Sequence, residues 1–412
     1  MTAEPGTDDD VAQMLGALGP AMLDANQSTS DVDETLAQVA RAYQRPHLET
    51  LALPTMILVQ AEVDGRASAS VFPVKGSRLR LDQAGAIQGL IDDIIEHPQD
   101  PDQVIAEVAR VRTAPPRFHS LWAIIGHALL TLGFGLVLNP TLTALPAYLG
   151  LGALVGVIVV FGSRLATLAL VLPVITSFVV TVLCITFLAR ATGGDALLLI
   201  APPLLSFLPG MALTIAAVEL TSGQIIAGAS RFVYGVAQLA LLAFGVTAGI
   251  VVAGTLPHAG HTTALGWWAP WLGILLVAGG FLLYSSAPRG SLGWIVLALA
   301  VAYAAQATAS LLIDPWLSGF FGAIVLVPFA RIIQLFRSAP PTIVTTTCGF
   351  WILVPGALGF MGVTQAAAGA ADAGQSLIEV VGSVLAIAIG MLVGSGVSRD
   401  LIAVRRAWTS TS

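Results

Sequence analysis

FLPGMALTIAAVELTSGQIIAGASR, from Phe207 to Arg231, decides the fold: an apolar run interrupted early by Pro209-Gly210 and closed by Glu219 and Arg231. Proline removes a backbone donor and clashes with the preceding turn, while glycine leaves helical geometry cheaply. The dipeptide returns as Pro355-Gly356, 146 positions on, and each copy stands about 14 residues into a hydrophobic stretch. Interrupted hydrophobic segments at corresponding places in two halves point to the binding site of a secondary transporter.

Outside this stretch the composition says the same. Hydrophobic residues make up 56% of the 412 positions and charged residues 10%, which places the chain in a bilayer. Of the 42 Asp, Glu, Lys and Arg residues, 27 lie between Met1 and Arg117, where the balance is −9, against +3 for the remainder. The expected organisation is an acidic cytosolic domain over 1–117 and two membrane halves over 118–257 and 258–412. The opening MTAEPGTDDD is acidic and polar, so no signal peptide is expected.

Within the first domain, helical stripes run through Val11, Leu15, Leu18 and Met22, and through Val32, Leu36, Val39 and Tyr43, with Ser30 or Asp31 as the cap of the second helix. Two strands, Thr55 to Gln60 and Ser68 to Phe72, flank the turn dipeptide Asp64-Gly65. Two further helices carry Ile87, Leu90, Ile91, Ile94 and Ile95, then Val104, Ile105 and Val108 behind Pro101. The reading is a small α+β domain. Its acidity argues against nucleic acid as a partner, and His47 and His97 read as solvated surface residues.

Ten apolar stretches are long enough to cross a hydrocarbon layer of ~30 Å: Leu121 to Leu138, Leu142 to Phe161, Leu165 to Leu188, Ala196 to Val218, Phe232 to Val252, Trp267 to Tyr284, Leu292 to Leu312, Leu317 to Ile333, Ile343 to Val363 and Leu377 to Val397. Eight of the nine cations beyond Arg117 then fall in cytoplasmic connections and Arg190 alone outside, which puts both termini in the cytosol of a cell-membrane protein. Five spans per half make a repeated half enter from the opposite face. The expected fold class is thus an all-α polytopic membrane protein of ten transmembrane helices in a 5+5 inverted repeat. Gly133-Phe134 and Gly280-Phe281, 147 apart, add to the Pro-Gly pairs as signs of the repeat.

Bare amides and carbonyls at a broken helix suit a zwitterion, the amides meeting a carboxylate and the carbonyls an ammonium. Ser206 and Thr214 beside the first break, and Thr345, Thr346 and Thr347 near the second, are candidate contacts for a hydroxylated substrate, although hydroxyls in such helices often bond their own backbone. Glu219 and Arg231 pair across an inner loop, as gate or as interfacial anchor. His127, one to two turns into the first span, is either a proton relay or a satisfied packing residue. Cys184 and Cys348 fall inside apolar spans and read as packing, while His258 and His261 lack a third ligand; neither metal nor cofactor is expected. No P-loop, H-E-x-x-H or G-x-S-x-G occurs, so the chain is read as no enzyme, and an ion or proton gradient is left as the energy source. Gly390 and Gly394 form a small-xxx-small pair that packs helices within a chain or between copies, which leaves a homo-oligomer open.

The stretch quoted at the outset, with GFLLYSSAPRGSLGW from Gly280 and RSAPPTIVTTTCGFWILVPGALGFMGV from Arg337, resembles the threonine/serine exporter family, and LGALGPAMLDANQSTSDVDETLAQVARAY resembles that family's amino-terminal region. The resemblance implies proton-driven export of threonine and serine by a ten-span carrier. Pro209, Gly210, Glu219, Arg231, Pro355 and Gly356 hold the matching motif positions. Two rivals stand beside it: an exporter of dicarboxylates such as succinate on the same fold, and a membrane sensor whose acidic domain binds a ligand.

Overall fold

The computed structural model describes residues 7–63, 66–76, 78–193, 196–254, 263–336, 338–353, 362 and 373–410. The chain divides into two compact units. One joins Met1–Pro116 with Ile215–Phe232 and Pro340–Val344; the other holds Arg117–Thr214, Val233–Ala339 and Thr345–Ser412.

In the first unit α1 (Asp8–Asp24) and α2 (Thr29–Ala42) precede β1 (Glu49–Leu53), β2 (Met56–Val63) and β3 (Arg66–Pro73), and α3 (Leu81–Glu96) and α4 (Pro101–Thr113) follow. Thr7 opens α1 in a reciprocal capping box with Asp10, and Ser28 caps α2 by accepting from the Asp31 amide at 3.1 Å. The cap of α2 therefore lies two residues before Ser30. Both helical stripes expected from periodicity are buried, with Val11, Leu15, Leu18, Met22, Val32, Leu36 and Val39 at 0% exposure and Tyr43 at 2%. Each such aliphatic side chain contributes about 1.5–3 kcal/mol on burial.

The sheet is antiparallel in the order β1-β2-β3, one strand more than the alternation showed. In β1 the larger residues, Leu51 and Leu53, are exposed or half-buried while only the small Ala52 faces inward, so its apolar signal points the wrong way. The turn Asp64-Gly65 lies outside the described residues. His47, read as a solvated surface residue, is exposed and places Nε2 2.8 Å from Asp8 Oδ2, alongside Arg45 on the same carboxylate.

The second unit is helical: α5 (Ser120–Leu138), α6 (Leu145–Gly162), α7 (Ala166–Leu183), α8 (Ala189–Thr192), α9 (Ala196–Leu204), the start of α10 (Gly210–Thr221), most of α11 (Ile225–Ala253), then α12 (Ala269–Tyr284), α13 (Leu292–Ala309), α14 (Ser318–Ile333), most of α15 (Thr342–Ile352) and α16 (Ala373–Ser410). A π-helical turn, Cys184–Leu188, links α7 to α8. Among the described residues seven helices are long and apolar enough to cross a membrane, or eight if the bent pair formed by α9 and α10 counts as one span. The stretches expected at Trp267 and Ile343 appear as the shorter apolar helices α12 and α15. Large hydrophobic side chains such as Phe187, Val233, Val251, Phe244 and Leu275 face outward from these helices, as hydrocarbon contact requires. The chain is a multi-pass membrane protein.

The crossing of α5 with α12 is close and antiparallel. A Cβ on Gly133 would lie 2.7 Å from the Gly273 carbonyl oxygen, and one on Gly280 2.9 Å from the Gly126 oxygen. Only hydrogen at these Cα atoms lets the backbones meet. Trp351 of α15 packs on Phe134 and Phe281, with ring centroids 6.3 and 5.8 Å away. Gly390 and Gly394 pack α16 on α14 within one chain, against the Phe320 and Ile324 carbonyls. Helices α6 and α13 are 18 residues each and start 147 positions apart.

Candidate functional site

Three prolines shape the approach to the first break. Pro202 and Pro203 lie inside α9 and cannot donate to the carbonyls four residues back. The Leu198 carbonyl so released is met by the Tyr148 hydroxyl at 3.5 Å. Pro209 forces Leu208 out of the helical region, to φ −70 and ψ 131. The chain turns through 66° between Ala196–Phe207 and Gly210–Thr221.

On the far side of the break the Pro209 carbonyl accepts from the Leu213 amide at 2.9 Å, which starts α10. The first amides of α10 therefore have no intrahelical acceptor, and the positive end of the helix dipole faces the break. Pro209 and Gly210 are buried. Thr214, one turn along, is fully buried and its hydroxyl has no hydrogen-bond partner. Ser206, half-buried, stands in the 3-10 turn Leu205–Phe207 just before the break.

The structure joins Ser206 to His127. Nε2 of the imidazole lies 3.0 Å from Ser206 Oγ, and Nδ1 lies 2.9 Å from the Gly152 carbonyl oxygen. A carbonyl only accepts, so Nδ1 carries a proton; in the neutral ring Nε2 then accepts from the serine hydroxyl. On protonation Nε2 becomes a donor and the same hydroxyl turns to accept. The pair can thus change charge without losing either bond.

Close packing aims the ring. A Cβ on Gly152 would lie 2.8 Å from Ala128 Cα, and one on Gly156 3.1 Å from Ile124 Cα, so both glycines let α6 come against α5 and bring the carbonyl to the imidazole. Tyr284 closes another side edge-on, its ring centroid 5.2 Å away. His127 is 3% exposed.

A second polar group belongs to the first unit. Glu219, fully buried near the end of α10, places Oε2 3.1 Å from Arg231 Nε, an ion pair whose angle falls outside hydrogen-bond geometry. Its other oxygen accepts from the Thr29 amide at 2.9 Å and the Thr29 hydroxyl at 3.1 Å, while Arg231 donates to the Gln27 carbonyl at 3.1 Å.

Two couples among the sequence candidates are therefore in contact, His127 with Ser206 and Glu219 with Arg231. Thr214 on α10 and the half-buried Thr346 and Thr347 on α15 are drawn into neither couple, and Thr345 beside them is buried. Pro355 and Gly356, like His258 and His261, lie outside the described residues. Thr29, Gln27, Gly152 and Tyr284 were not singled out in the sequence. The pairing of Thr29 with a residue 190 positions away carries no local signal.

Residues 13–253 match a family model described as "Putative threonine/serine exporter", a range that runs from α1 to the end of α11. No curated protein and no solved structure matches the chain. With more than half its length inside that match, the chain belongs to the threonine/serine exporter family.

Proposed function

We propose that this protein is a secondary transporter that exports threonine and serine from the cytosol across the cell membrane, driven by the proton gradient, with both termini cytosolic. The observation that carries the reading is the bent helix at Pro209-Gly210, with a buried His127 hydrogen-bonded to Ser206 at its edge. The free amides of α10 meet the substrate carboxylate, and Ser206 and Thr214 its hydroxyl. Pro355, Gly356, Thr346 and Thr347 complete the site from the second half. His127 takes up the proton. No Lys or Arg occurs from Ala196 to Thr221, which favours a zwitterion over a dicarboxylate.

The reading includes ten spans in a 5+5 inverted repeat over 118–257 and 258–412. Its support is the α5–α12 crossing. Gly273 and Gly280 stand 147 positions beyond Gly126 and Gly133, and each glycine meets the counterpart of the other. Reciprocal contact of this kind is what a two-fold axis generates.

The test is flux in proteoliposomes with labelled threonine, serine and succinate under an imposed pH gradient. Threonine and serine are expected to move and succinate not; flux of succinate alone would replace the substrate, and no flux of any would leave a sensor. Gly210→Val is expected to abolish flux in folded protein. His127→Gln, which keeps hydrogen-bonding atoms but no titratable ring, is expected to remove the response to the pH gradient.

A further inference from the structure

We infer that the amino-terminal domain is a releasable clamp on α10, with Thr29 as the positioning residue that holds the gating carboxylate Glu219. The inference rests on the transport reading above.

Its basis is a contact assembled from parts distant in sequence. Asn26, in the left-handed region at φ 62, ends the turn after α1, and the next residue, Gln27, offers its carbonyl to Arg231. Asn adopts that conformation at lower cost than most residues. Thr29 follows as the first residue of α2, and its amide and hydroxyl both donate to Glu219 Oε1. The carboxylate therefore occupies the positive end of α2, where an anion is favoured. Thr29 and Glu219 are both at 0% exposure, and the side chain of Arg231 at 14%.

Such a contact is selective without being strong. Removing two charges from water costs several kcal/mol each, and their attraction roughly repays it. An apolar interface parts at the full expense of rehydrating hydrocarbon. Here water regains a carboxylate, a guanidinium and a hydroxyl when the domain leaves, so these groups add little to the cost of separation while they fix the docked register. Glu219 also shares one continuous helix with Gly210, the residue at which α10 begins. A hold on Glu219 is a hold on the helix whose first amides meet the substrate.

The experiment compares the full chain, as wild type, Thr29→Val and Thr29→Ser, in proteoliposomes. Thr29→Val keeps shape and amide but loses one hydrogen bond to a charged group, a change worth about tenfold in an opening equilibrium. Amide exchange across residues 215–232 should accelerate about tenfold, and threonine export should rise at least twofold. Thr29→Ser should restore both to the wild-type values. Thr29→Ala serves if the valine variant does not accumulate. Faster exchange with unaltered or slower export overturns the clamp, as does any change in export without faster exchange. If the wild-type chain moves none of the three labelled solutes, the transport reading fails by itself; the contact is then judged on exchange, and an unchanged rate in the valine variant sinks it.

Discussion

The amino-terminal domain and the crossing of α5 with α12 are assembled on opposite rules. In the domain, long side chains meet in one core, and Leu18 or Ile57 is buried because water is expelled. In the crossing, both helices are mostly apolar and lipid is as oily as leucine, so what selects a partner is how close two backbones come. Gly126, Gly133, Gly273 and Gly280 make that approach by presenting nothing at all. A residue's contribution in the first region grows with its size, and in the second with its absence.

The largest effect that follows is in the core. Leu18→Ala removes three carbons from a site with no exposure and should cost about 2–5 kcal/mol; denaturant-dependent amide exchange of α1 measures it. Gly133→Ala adds one carbon where the crossing has a backbone oxygen 2.7 Å away, and should lower stability by about 1–3 kcal/mol in thermal melts of solubilised protein. Gly279→Ala is the control on the same helix as Gly280, with nothing within 4 Å of the added carbon. Helix propensity alone then acts, and a gain of about 0.5–1 kcal/mol is expected. If both alanines destabilise equally, close approach is not what pairs α5 with α12.

A smaller effect belongs to the polar contact beside the break. Ser206→Ala leaves His127 Nε2 buried without its partner and should cost roughly 1–3 kcal/mol, the lower end applying if a water enters. His127→Phe in addition removes the unmatched nitrogen. The double variant should therefore be less destabilised than the sum of the singles, a coupling that a double-mutant cycle in the same melts reads out.

The same two rules decide what could be read before any coordinates. Periodicity gave away Val32, Leu36 and Val39, because a half-wetted helix must segregate its faces. It could not give β1, whose inward residue is the small Ala52. In the membrane unit, hydropathy located the stretches but not their neighbours: α12 is apolar all round, and α5 departs from that inside the span only at His127 and Thr131. The repeated Gly-Phe pairs were the trace of that crossing, legible as a motif and not as a contact. Pro209-Gly210 announced a break through local backbone chemistry, while the partners of His127 and Glu219, 79 and 190 positions away, depend on tertiary packing alone. The counterpart at Pro355-Gly356 is legible only as sequence.

The smallest expected effect tests whether the domain's few buried charges behave as its apolar core does. Asp33 of α2 accepts from the Ala52 amide at 2.7 Å and so ties the helix to β1. Burial pushes its carboxyl up from 3.8 to about 6, against the opposing pull of that amide bond. A carboxyl that holds its proton more tightly when folded gains stability as pH falls through about 6 toward 3.8, and loses that gain as pH rises again through about 6. Asp33→Asn cannot titrate, so the difference between wild type and variant should shift in favour of wild type on going from pH 7 to pH 5, with exchange of the β1 and β2 amides as the readout. Burial of an ionised group is then a cost that the hydrophobic core carries, in contrast to the methyl groups around it. A difference that does not vary between pH 7 and pH 5 would mean that Asp33 is hydrated in the folded domain, and that the seam between α2 and β1 is wetter than its neighbours Val32 and Leu36, both at 0% exposure, imply.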